Sequence, residues 1–167
     1  MLPLVLNPIH IKAGLAGQGS GRERRAALLA DAGVEARLLP ETVSDDLLKG
    51  LQILFVAGLP ESQAKELAGR ARALGVLVNV EDVPALCDFH VPAIVRRGEL
   101  LLTASTGGQV PGLSRLVRER LADEFGPHWS VRLKDLGAAR ANWRNQGLSP
   151  DDVSQHVRDM VVQMGWL

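Results

Sequence analysis

One cysteine in 167 residues, Cys87, excludes an internal disulfide framework and a cysteine-based zinc cluster. That usage suits a reducing compartment, and the cytoplasm is expected. Charge of one sign is also missing: 19 basic and 19 acidic residues cancel. No global field then favours nucleic acid or an anionic membrane, and any anionic ligand must be held by a local site. Long apolar runs are absent as well. The opening Met1-Leu-Pro-Leu-Val-Leu-Asn lacks a basic region and is too short and proline-broken for a signal peptide or a membrane span, so it is expected to be a strand or packed arm. There are no internal repeats and no low-complexity segment.

What remains is ordinary globular material, 46% hydrophobic and 23% charged, which is enough apolar surface to fold. A net charge near zero leaves colloidal solubility unassured, and burying surface in a homo-oligomer is one remedy. The first two thirds alternate short apolar runs with helix-length amphipathic stretches, the pattern of βαβ units and a parallel sheet. Strands are predicted at Ile11–Ala16, Val34–Leu39, Ile53–Ala57, Val76–Val80 and Leu100–Ala104. Helices are predicted at Arg22–Ala32 and Ser62–Leu74, closed by Gly33 and Gly75, with a short one near Ser44–Leu51.

After Pro111 the pattern is helical only, over Leu113–Phe125, around Val131–Gln146, and in a last helix opened by Ser149-Pro-Asp-Asp. There a serine N-cap, a proline at the first helical position and two carboxylates all suit a helix start. The expected architecture is α/β, a Rossmann-like open parallel sheet over residues 1–110 followed by a helical dimerisation region over 111–167. Its ligand crevice lies at the carboxyl ends of the strands.

Three segments carry candidate chemistry. Gly17-Gln-Gly19-Ser20-Gly21-Arg22 stands between a strand and a helix, where backbone N–H groups can cradle a pyrophosphate; a plain turn is the competing account, since Arg22 takes the third position of the GxGxxG pattern. Arg22, Arg24 and Arg25 crowd the positive end of that helix, either to share an anion or as a solvated face. Downstream, Asp82, Asp88 and His90 follow the fourth strand, suited to proton transfer or, as readily, to turns and caps. Cys87 is expected to be a small buried hydrophobe. Ser105-Thr106-Gly107-Gly108 forms an anion-friendly turn at the end of another strand.

In this order the segments resemble the precorrin-2 dehydrogenase family, the N-terminal domain of sirohaem synthase. The likeness rests on Leu2-Pro-Leu-Val-Leu, on Gly17 to Gly33, on Val78-Asn-Val-Glu-Asp82-Val-Pro-Ala-Leu-Cys-Asp-Phe-His90-Val-Pro-Ala-Ile, and on Ala104-Ser-Thr-Gly-Gly-Gln-Val-Pro111. The resemblance implies a homodimer that oxidises precorrin-2 to sirohydrochlorin with NAD, and in some members inserts ferrous iron. It implies Asp82 as general acid/base. Gly17, Gly19, Ser20, Gly21, Glu41 and Thr42 then fall at the cofactor, and Ser105, Thr106, Gly107 and His90 at the tetrapyrrole, with no resident metal site. Gln18, Gly21 and Arg22 depart from the family's glycine loop, and Val83 and Val110 stand where polar residues are usual. The alternative is a non-redox tetrapyrrole- or metal-handling protein, chelatase-like, with a degenerate nucleotide site.

Overall fold

Four of the apolar segments pair in parallel in the computed structural model, which describes residues 1–167. They are β1 (Ala13–Gly17), β2 (Arg37–Leu38), β3 (Ile53–Ala57) and β4 (Leu77–Val80), in the order β2-β1-β3-β4. Between them run α1 (Gly19–Asp31), α2 (Asp45–Leu48) and α3 (Glu61–Ala73). Every residue of β3 is buried, as a central strand covered on both faces requires. Its side chains alternate accordingly. Ile53 and Phe55 pack with Ala13, Leu15 and Leu29 of α1, whereas Leu54 and Val56 pack with Leu48 of α2 and Leu67, Ala68 and Ala71 of α3. Gly33 and Gly75 close α1 and α3 in the left-handed conformation the sequence predicts.

The chain divides into two compact units, Met1–Val91 and Pro92–Leu167, ahead of the boundary expected near 110. The difference comes from residues 93–104. Leu100–Ala104, expected as a strand of the parallel sheet, is β6, and it pairs antiparallel with β5 (Ala93–Arg97). Only Gly98 and Glu99 link the two, a connection far too short for a parallel crossover. The opening apolar segment also differs from expectation: Met1–Leu6 are exposed and form no strand, and the first local structure is a 3-10 turn, Pro8–His10, capped by the Asn7 side chain.

The second unit continues with α4 (Pro111–Glu124), α5 (Trp129–Asn145) and α6 (Pro150–Gln163). Arg97 donates to the carbonyls of Phe125 (2.7 Å) and Ala122 (3.1 Å), so a cation of β5 closes the negative end of α4. Ser149 caps α6 by accepting from the Asp152 N–H at 3.2 Å. Trp129 is this unit's buried aromatic, with Phe125 tilted against it and Trp166 edge-on, while Arg132 lies over the rings of both tryptophans. Trp143 instead meets His156. No helix is long and apolar enough to cross a membrane.

Candidate functional site

From β1 the chain passes to β2 on one side and then to β3 on the other, so the strand order reverses between β1 and β3. Such a switch point opens a crevice at the carboxyl ends of the strands. Here it is a cleft of about 570 Å³, within the range of small-molecule sites, lined by Gln18, Gly19, Ser20, Gly21, Arg24, Gly58 and Glu81.

Two turns approach backbone to backbone at its floor. Gln18 N–H donates to the Ala57 carbonyl at 3.1 Å. A Cβ on Gly17, whose φ is 122°, would run into that carbonyl, and one on Gly58 would run into the carbonyl of Gln18. Gly19 also has positive φ and has open space above it. Helix α1 therefore begins at Gly19, ahead of the predicted Arg22, because the glycine turn itself enters the helix. No side chain caps its N-terminus and no carboxylate stands in its first turn. No side chain hydrogen-bonds its leading N–H groups, a geometry that fits a dinucleotide pyrophosphate.

The three arginines at this helix end have separate tasks. Arg22 donates to the Leu39 carbonyl at 3.2 Å, while its buried Nε has no partner. Arg24 donates to Ser20 Oγ at 3.1 Å and pairs with Glu81 at 3.4 Å, within the cleft. Arg25 lies over the Phe55 ring, and its burial pulls the guanidinium pKa below the usual value.

The segment after β4 is partly structural. Asp88 accepts from Val78 N–H at 2.8 Å and pairs with Arg72 of α3 at 2.9 Å, fastening strand to helix. Half-buried Cys87 exchanges hydrogen bonds with the Val80 backbone. Nearly buried Asn79 donates to the Phe89 carbonyl. Asp82 differs from all of these. It is exposed and, at φ 61°, is the one non-glycine residue with left-handed backbone. That geometry is uncommon outside glycine, though least so for Asp and Asn, and it concentrates at functional turns.

The structure thus brings Gly19, Ser20 and Gly21 together in the cleft, with Gly17 beneath and Asp82 adjoining in sequence the lining residue Glu81. Glu41 and Thr42 are exposed beyond β2 and outside this lining, and His90 is half-buried near the end of the unit. In the second unit Ser105 Oγ accepts from Gly107 N–H, and Thr106 Oγ1 binds Ser114 Oγ and accepts from Val110 N–H. These hydroxyls shape the turn ahead of α4. No three His, Cys, Asp or Glu side chains gather as a metal-ligand set. Sequence reasoning missed Gly58 and Glu81 as lining residues. A glycine directly after the apolar run of β3 was the available signal for Gly58, and the place beside Asp82 was the signal for Glu81.

A half of a doubly wound nucleotide-binding fold is the class that this switch point and glycine cleft define. The family described as putative NAD(P)-binding matches residues 5–93, and the chain belongs to it. Siroheme synthase of Pseudomonas aeruginosa (strain UCBPP-PA14) is 36% identical over 81% of this chain and 33% of its own length. Siroheme synthase of Ectopseudomonas mendocina (strain ymp) is 32% identical over 84% of this chain and 34% of its own length. The chain spans about a third of these curated relatives. Among solved structures, SirC, precorrin-2 dehydrogenase, superposes with TM-score 0.71 over 96% of this chain and 89% of that one, at 17% identity, a likeness of fold.

Proposed function

We propose that this chain oxidises precorrin-2 to sirohydrochlorin with NAD, the dehydrogenase step of sirohaem formation. The observation that carries this reading is a glycine-floored helix end at the switch point with no side-chain cap, with Asp82, in left-handed backbone, next in sequence to the lining residue Glu81. The first-turn N–H groups at Ser20 and Gly21 hold the pyrophosphate, and Gly17 and Gly19 clear the backbone for it. Glu41 and Thr42, following β2, serve the adenosine ribose, where an acidic acceptor is wanted.

When bound, the nicotinamide supplies the hydride acceptor. Asp82 receives the proton released with that hydride, so two electrons and one proton leave one way and the second proton another. Ser105, Thr106, Gly107 and His90 are assigned to the tetrapyrrole. Ferrous iron, as a substrate for converting sirohydrochlorin to sirohaem, follows from the relatives' name, siroheme synthase, rather than from a ligand set in this chain.

The working form in this reading is a homodimer built on the second unit. Helix α4 buries no residue and exposes Leu113, Leu116 and Val117. A contiguous apolar helix face exposed to solvent supports a partner surface.

The test is Asp82→Asn, which keeps the residue type's tolerance of left-handed backbone while removing the base. Precorrin-2-dependent formation of NADH should fall about 10²- to 10⁴-fold, with the melting temperature and circular dichroism unchanged. Turnover equal to that of the natural chain would overturn the assignment.

A further inference from the structure

The place a side chain would occupy at Gly21 is already filled. A Cβ built there meets Glu81 Oε2 first and the Gly58 nitrogen next, at 3.3 Å. Gly21 is itself buried in the first turn of α1, so the Glu81 carboxylate, from the turn after β4, sits directly on the helix end that faces the cleft. Glu81 is held there by Arg24, at 3.4 Å, and its side chain is only 19% exposed against 64% for Arg24. Arg24 is in turn tied back to Ser20 Oγ in the same helical turn.

A carboxylate at the positive end of a helix, paired with the nearest cation of the cleft, satisfies the same electrostatic demand that a phosphate would. The cleft therefore carries its own anion. An incoming pyrophosphate meets one like charge and finds Arg24 already engaged.

We propose that Glu81 is an affinity-setting latch on the dinucleotide cradle: its carboxylate, seated on Gly21 and paired with Arg24, occupies the anion position and must release Arg24 for a pyrophosphate to bind. This rests on the dinucleotide reading above and adds to it the residue that sets how tightly the cofactor is held. Gly21 is then required less by the cofactor than by Glu81, because any larger residue displaces the carboxylate.

The test compares the natural chain with Glu81→Gln, which preserves shape and removes the charge, using NAD and ADP-ribose as probes in calorimetric titration. Both probes should bind Glu81→Gln more tightly, on the order of tenfold, the size expected for one partly screened like-charge contact. The gain should be equal for the two probes, because ADP-ribose lacks the nicotinamide, and it should shrink in high salt. A natural chain that binds neither probe while Glu81→Gln binds both would support the latch in its strongest form. Binding by the natural chain with no gain, or with a loss, in Glu81→Gln would overturn the latch and leave the dinucleotide reading standing. Binding by neither protein would overturn both. Circular dichroism and the melting temperature of Glu81→Gln confirm that the two folds compare.

Discussion

The two units of the chain solve the burial problem differently. Of the 23 buried hydrophobic residues, twenty lie in Met1–Val91, and only Val95, Trp129 and Val153 lie in Pro92–Leu167. The first unit has a parallel sheet whose central strand is covered on both faces, the arrangement that lets short strands be wholly apolar. The second has a hairpin and three helices, and it leaves Val110, Leu113, Leu116, Val117, Val131, Val162, Met164 and Leu167 exposed. The first unit holds most of the buried core together with the ligand cleft, while exposed apolar side chains occur on both units.

The largest effect that would sharpen this contrast is in the first core. Leu54 is fully buried among α2, α3 and β4, and Leu54→Ala should lower unfolding free energy by roughly 2–5 kcal/mol in urea titration. A loss below about 1 kcal/mol would break the picture of a tightly packed sheet. In the second unit the expected effect on folding is far smaller. Leu116 on α4 is 64% exposed, so Leu116→Asp should change monomer stability by no more than about 0.5 kcal/mol. In analytical ultracentrifugation the natural chain should show the homodimer proposed above, and the same variant should nonetheless sediment as a monomer. Identical sedimentation of the two would remove α4 from the interface.

Much of the first unit was legible because its signals are local. Wholly apolar Ile53–Ala57, the helix-length spacing between strands and the glycines at 33 and 75 each report on their own neighbourhood, and each led to the observed element. The start of α1 was less legible: three glycines in five residues argue against a helix, yet Gly19 and Gly21 enter one because the turn below them needs close backbone contact. Leu100–Ala104 read as another parallel strand because β5, with Arg96 and Arg97 breaking its apolar run, went unrecognised. Once Ala93–Arg97 is a strand, the Gly98-Glu99 link leaves antiparallel pairing as the sole geometry.

The cleft divides along the same line. Gly17, Gly19 and Ser20 belong to a contiguous motif and could be picked out by spacing alone. Glu81 acts through a contact with Gly21, sixty positions away in sequence, and Gly58 through a contact with Gln18 across two strands. No periodicity encodes such meetings. They exist because β1, β3 and β4 end side by side, which only the paired sheet establishes.

Whether this cleft binds a nicotinamide dinucleotide is tested by direct calorimetric titration with NAD in the absence of tetrapyrrole. Saturable binding at about one site per chain is expected. No heat of binding from NAD or NADP, in the natural chain and in Glu81→Gln alike, would contradict it.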